Sequence, residues 1–173
     1  ANTCEETFFR HIKKLMPAHY LIFDLKKKKL IIKKYWDITF VPVVRDKSYI
    51  IKKLRELLED SIKQRLISDV PYGAYLSGGV DSGTIVSLMS RFSPKVKTFS
   101  VGFDIEEHSE TKEARFLAEK IGTEHREYIL RADTIKALPK IIYHSDEPLA
   151  DPTAIPIFFL SKYAKKHCTV ILT

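Results

Sequence analysis

Residues 76–83 constrain this chain more than any other stretch: Leu76-Ser77-Gly78-Gly79-Val80-Asp81-Ser82-Gly83. The segment follows a short apolar run, Val70 to Leu76, and precedes a helical pattern carried by Ile85, Val86, Leu88 and Met89. Strand, small-residue turn and helix together make an anion site. Gly78 and Gly79 let oxygens approach the backbone and accept the positive φ that aims successive N–H groups at one point. The helix adds its unpaired first-turn N–H groups and the positive end of its dipole. Ser77 and Ser82 carry hydroxyls that can donate. Asp81 is a poor phosphate ligand by charge, and a magnesium ion travelling with the phosphates explains it best.

The loop is not a Walker-type P-loop, because no Lys stands at the helix start, and the dinucleotide pattern G-x-G-x-x-G is absent. Ser77 to Ser82 instead resembles the pyrophosphate-binding loop of the ATP pyrophosphatase superfamily. Members of that superfamily cut ATP between the α and β phosphates and adenylate a substrate. The plainer alternative is a glycine turn with two incidental serines.

A chain of 173 residues can bury a real core. It has no apolar stretch long enough to span a membrane, and its first residues lack the basic start and apolar run of a signal peptide. Cys4 and Cys168 are the two cysteines, so neither a disulfide framework nor a zinc spacing is present. Cys168, beside Thr169 to Leu172, reads as a small core residue. A reducing cytoplasm fits these features. The net charge is +7, with Lys26 to Lys29, Lys33 and Lys34 concentrated in one place. No aromatic interleaving or nucleic-acid motif accompanies them, and a solvated turn between two strands is preferred to a nucleic-acid patch.

Residues 18–38 read as a hairpin, with His19 to Phe23 and Leu30 to Ile32 as strands and the lysine run as the turn. Residues 39–46 read as a linker. A helix follows, with Ile51, Leu54, Leu58, Ile62 and Leu66 on one face. Lys52/Glu56, Arg55/Glu59 and Glu59/Lys63 stand four apart on its other side as expected ion pairs. After Pro71 strands and helices alternate. Strands are expected over 72–76, 96–101, 127–130 and 169–172, and helices over 81–91, 109–121, 133–143 and 154–166. Ser109 is the expected N-cap and Gly122 the C-terminal stop of the helix bearing Ala114, Leu117, Ala118 and Ile121. Pro139 should break or restart the fourth helix. The fold class implied is α/β: an open parallel sheet with helices on both faces, incomplete, with an N-terminal β-hairpin.

In such sheets ligands bind outside the carboxyl ends of the strands. Thr173 ends the chain just after an expected buried strand, and a lone hairpin is marginal by itself. Both features suggest a piece of a larger enzyme.

A second cluster runs from His144 through Ser145, Asp146, Glu147, Pro148, Leu149, Ala150, Asp151, Pro152 and Thr153 to Ala154. Three carboxylates in one short loop are costly to gather without a partner, and prolines lower the cost of ordering it. Asp146, Glu147 and Asp151 are therefore candidate substrate-loop residues. Asp151 or Thr153 serves equally well as a helix cap. His144 reads as helix-end packing or a dipole partner rather than a metal ligand.

Together these segments resemble the glutamine-hydrolysing asparagine synthetase family over nearly the whole chain. Val70-Pro71-Tyr72-Gly73 leading into Leu76 to Ser82 is similar to its ATP loop. Phe99-Ser100-Val101-Gly102-Phe103 is similar to its second strand, whose backbone, at Val101, faces adenine. Tyr143 to Pro152 is similar to its acidic loop. Thr169 to Thr173 resembles the strand before its second ATP motif, Gly-Glu-Gly-x-Asp-Glu. Residues 16–37, ending in Tyr35-Trp36-Asp37, resemble the last hairpin of its amidotransferase domain. The resemblance implies a remnant of that domain over 1–40 and the first half of the ATP-binding synthetase domain over 41–173.

The same resemblance implies ATP contacts at Leu76, Ser77, Gly78, Gly79, Val80, Asp81, Ser82 and Val101, with Mg2+ at Asp81. ATP, aspartate, and glutamine or ammonia would be the substrates of the parent enzyme. The aspartate side-chain carboxylate would be adenylated with release of pyrophosphate, and ammonia would displace AMP. The hairpin would self-associate or contact the missing domain. Two departures stand out. Gly83 replaces a usual second Ser, and the second ATP motif, a later lysine segment and the glutaminase nucleophile have no counterpart here, Cys4 not matching the last. This chain by itself is therefore expected to be inactive. Other readings are a β-lactam synthetase-like ligase, an RNA-modifying adenylating enzyme, or a non-catalytic nucleotide-binding remnant.

Overall fold

A computed structural model of the chain describes residues 4–104, 109–145 and 150–173. The chain divides into two compact units, Ala1–Arg45 and Asp46–Thr173.

The first unit is built on an antiparallel hairpin, β1 (His19–Asp24) and β2 (Lys29–Lys34), in which His19 faces Lys34 and Asp24 faces Lys29. The lysine run forms the turn, as expected. Its closure depends on Asp24, whose carboxylate accepts from the Lys26 and Lys27 N–H groups at 2.9 Å each. Leu21, Ile22, Phe23, Leu30, Ile31 and Ile32 are all exposed.

The second unit is an α/β layer structure. Helix α1 (Lys47–Arg65) opens at Asp46, whose carboxylate accepts from Ser48 N–H at 3.0 Å. Next come β3 (Tyr72–Tyr75), α2 (Val80–Ser90), β4 (Lys97–Phe103), α3 (Thr111–Ile121) and β5 (Glu124–Leu130). A 3-10 turn over Ala132–Ala137 leads into α4 (Leu138–Ser145). The helix restarts at Pro139, where a missing N–H costs nothing. Last are α5 (Ala154–Ala164) and β6 (Val170–Leu172).

The four strands form one parallel sheet in the order β5-β4-β3-β6. Period-2 alternation divides its faces. Ala74, Leu76 and Leu172 pack with Val86 and Met89 of α2, Ala114 and Ala118 of α3, and Ile62 of α1. On the other face Phe99 packs with Leu160 and Ala164 of α5 and with Cys168. The chain winds from β3 through β4 to β5 on one side and returns to place β6 on the other side of β3. The switch point thus falls at the carboxyl end of β3, where doubly wound sheets open a crevice.

Three local expectations are revised. Glu110, not Ser109, is the residue before α3, and it makes no side-chain cap; Ser109 Oγ instead lies 2.9 Å from Thr111 Oγ1. In α1 the ion pair formed is Lys53–Glu56 at 3.3 Å, while Glu59 pairs with Arg91, the residue that ends α2, a partner that helical spacing does not reveal. The apolar stripe of α1 is used only at its C-terminal end: Leu58, Ile62 and Leu66 join the core, and Ile51 and Leu54 stay exposed.

Candidate nucleotide site

The β3–α2 loop stands at the switch point of the sheet. Gly78 adopts φ +80°, and a Cβ there would lie 2.6 Å from Glu113 Cβ on α3. Only glycine both takes that backbone and admits α3 so closely. Gly83, on the first turns of α2, brings that helix against Leu117, 3.2 Å from where a Cβ would stand.

The two serines are committed to the loop itself. Ser77 and Ser82 hydroxyls lie 3.0 Å apart; Ser77 N–H donates to Ser82 Oγ at 3.2 Å, and Ser82 Oγ donates to Gly79 O at 3.3 Å. Gly79 N–H is directed at Ser77 Oγ at 3.4 Å. The N–H groups of Ser77 and Gly79 are therefore occupied, contrary to a loop in which every N–H from Ser77 to Ser82 awaits a ligand. The N–H groups of Gly78, Val80, Asp81 and Ser82 have no acceptor among the described residues, and no side chain caps α2. Open donors in a pre-closed loop at a positive helix end suit phosphate oxygens. The Asp81 carboxylate, in that first turn, is exposed and makes no hydrogen bond or ion pair among the described residues. As a hard oxygen donor beside anion-seeking N–H groups, it suits magnesium.

Clefts border this edge of the sheet. One of about 460 Å³ starts at Gly78, Gly79 and Val80 and runs along α2 to Arg55 and Arg91. Another of about 310 Å³ lies over the ends of β4 and β5, between Phe103, Asp104, Arg131, Ile135 and Pro156. Val101 is half-buried on β4, on the sheet face covered by α5.

Of the acidic cluster, Asp146 and Glu147 lie outside the described residues. Asp151 is exposed and accepts from Thr153 N–H at 2.9 Å and Thr153 Oγ1 at 2.7 Å, bonds that hold its carboxyl below the usual range. It closes the turn entering α5. Cys168 is buried, and burial pushes its thiol up.

Sequence reasoning missed a polar group under α3. Thr98 and Ser100 face His125 and Glu127 across β4 and β5, and Arg115 of α3 grips Glu127 at 2.9 and 2.7 Å. The signal was available: two hydroxyls two residues apart in a strand otherwise buried on that face.

The family model for asparagine synthase matches residues 53–173. The chain belongs to the asparagine synthase family. Over 169 residues it is 40% identical to asparagine synthetase [glutamine-hydrolyzing] 1 of Bacillus subtilis, covering 96% of this chain and 26% of that protein. It is 35% identical over 172 residues to a putative asparagine synthetase [glutamine-hydrolyzing] of Mycobacterium bovis, covering 97% of this chain and 26% of that one. The chain thus spans about a quarter of the length of these curated relatives. Among solved structures, an NH3-dependent NAD synthetase from Campylobacter jejuni is a more distant likeness, at TM-score 0.44 and 18% identity, covering 73% of this chain and 56% of that one.

Proposed function

We propose that this chain carries the first half of the ATP-binding synthetase domain of a glutamine-hydrolysing asparagine synthetase. Family membership and the open N–H groups at Gly78, Val80, Asp81 and Ser82 support this reading. The pyrophosphate of ATP lies against those four groups, with Leu76, Ser77 and Gly79 shaping the loop and Val101 backbone beside adenine. Asp81 holds magnesium, which when bound neutralises phosphate charge.

In the whole enzyme an oxygen of the aspartate side-chain carboxylate attacks the α phosphorus and pyrophosphate leaves. The resulting β-aspartyl-AMP is attacked by ammonia drawn from glutamine, and AMP departs. The loop's part is to meet charge on the pyrophosphate with N–H groups already in place. Asp146, Glu147 and Asp151 belong to the substrate side. Residues 1–40 are the end of an amidotransferase-like domain and 41–173 the start of the synthetase domain. The exposed apolar hairpin contacts the rest of that domain or a second copy.

Calorimetric titration of the chain with ATP and magnesium tests the site. Weak binding strengthened by magnesium is expected, with that magnesium dependence lost in Asp81→Ala, and saturation unaffected by changes in 77–82 overturns the assignment. Pyrophosphate release with ATP, magnesium, aspartate and excess ammonium tests the activity. None is expected from this chain by itself, and aspartate-dependent turnover of about one per second, ordinary for an enzyme, contradicts the proposed division of the machinery.

A further inference from the structure

The polar group under α3 ends on the nucleotide loop. Thr123 and Thr98 hydroxyl oxygens are 2.8 Å apart, and Thr98 Oγ1 is 2.9 Å from His125 Nδ1. His125 Nε2 is 3.3 Å from Ser100 Oγ, and Ser100 Oγ donates to the Leu76 carbonyl at 2.5 Å. Thr98 and Ser100 are buried, and Leu76 is the residue immediately before the loop.

Proton accounting fixes the direction of this chain of bonds. A carbonyl oxygen only accepts, so the Ser100 proton points at Leu76. Ser100 Oγ then meets His125 as an acceptor, which places the ring proton on Nε2. Nδ1 is left with a lone pair for the Thr98 hydroxyl, and Thr98 in turn accepts from Thr123. A protonated ring would reverse only the threonine end, Nδ1–H donating to Thr98 and Thr98 to Thr123, and would keep Nε2–H on Ser100; burial holds His125 below its ordinary value and favours the neutral ring. Glu127 Oε1 stands 3.6 Å from Nε2, beyond hydrogen-bond distance, and accepts from Arg115 Nε at 2.9 Å.

The Leu76 carbonyl is where β3 leaves the sheet. Leu76 N–H still donates to Phe99 O at 2.9 Å. The next rung of a parallel ladder, Val101 N–H to Leu76 O, is not made among the described residues. The Ser100 hydroxyl takes that carbonyl instead and is the last fixed point before Ser77.

We propose that His125 is a positioning residue for the nucleotide loop: its Nε2–H orients the Ser100 hydroxyl onto the Leu76 carbonyl and so sets where the 77–82 N–H groups stand. The consequence for ATP rests on the function proposed above; the positioning itself does not.

The test uses the full chain labelled with nitrogen-15. Long-range proton–nitrogen spectra of the imidazole should show His125 neutral with its proton on Nε2, and a proton on Nδ1 overturns the proposal. His125→Gln can place an N–H donor near the Nε2 position. His125→Asn places its oxygen near Nδ1, keeping an acceptor for Thr98 without a donor for Ser100. His125→Asn should move the backbone amide resonances of 77–82 and weaken ATP–magnesium binding about 2- to 10-fold, the range one hydrogen bond supplies. His125→Gln should leave both near wild type. Equal loop shifts in the two variants, or none in either, overturn the proposal. Ser100→Ala removes the link with little change in volume and guards against misfolding of the His125 variants. It should move the same amides, and an unmoved loop overturns the proposal. If wild type fails to bind ATP–magnesium while the amides follow this pattern, the nucleotide reading falls and the positioning role stands.

Discussion

Gly78 and His125 carry the sharpest residue-level consequences. At Gly78 a methyl group meets two penalties, the left-handed φ and the 2.6 Å approach to Glu113 Cβ. Gly78→Ala should therefore cost about 2–4 kcal/mol, combining the left-handed penalty with overpacking. It should also displace the loop; chemical denaturation and ATP titration together read both effects. For His125 the sign follows from burial. The folded ring holds its proton less tightly than an ordinary ring of pKa 6.5, with Glu127 opposing and Arg115 reinforcing the shift. The unfolded chain thus binds more protons, and stability declines as pH falls below about 6.5. Glu127 acts in the same direction further down: the Arg115 hydrogen bonds hold its carboxyl below 4.5, so its contribution is present above that value and is lost as pH falls through the folded pKa. Thermal melts from about pH 7.5 to about 5.5 should show His125→Gln losing part of the wild-type slope. An unchanged slope contradicts this assignment.

At the level of elements, α3 has both of its ends defined by backbone. Its stop is Gly122 at φ +80°, whose N–H bonds Ala118 O at 2.9 Å and which has open space around its Cβ position. Gly122→Ala should cost about 1–2 kcal/mol by backbone strain alone, because nothing is there to clash. A shift in the denaturant midpoint with unchanged slope checks it. The contrast with Gly78→Ala is informative, since the loop should move in one variant and stay in the other. The end and the buried face of α3 were legible in the sequence, through Gly122 and the spacing of Ala114, Leu117, Ala118 and Ile121. Its start was not, because Ser109 bonds a neighbouring hydroxyl rather than a helix N–H. The partial use of the α1 stripe was also hidden: periodicity reports a face, not how much of it a neighbour covers.

At the scale of the whole molecule, residues 35–46 connect the two units without secondary structure and are exposed throughout. Such segments are where proteases cut first. Brief trypsin treatment should cleave at Arg45 or Lys47 ahead of sites within the parallel sheet, and mass spectrometry would identify the cut. First cleavage inside 72–103 is the contrary result.

The residues of the chain by themselves determined the strand–loop–helix unit, because Ser77-Gly78-Gly79-Val80-Asp81-Ser82 between an apolar run and a helical pattern has one economical backbone solution. They also determined the alternating order of elements and the hairpin, through local periodicity and turn chemistry. Tertiary structure decided the rest. The order β5-β4-β3-β6 puts the loop at a switch point, which depends on pairings between residues far apart in sequence. Ser77 and Ser82 turned out to bind each other rather than await a ligand, since a hydroxyl's partner depends on which groups folding brings within reach. The relay from Thr123 to Leu76 crosses three strands and one half-buried ring, and only the packed parallel sheet places those hydroxyls and that imidazole in line.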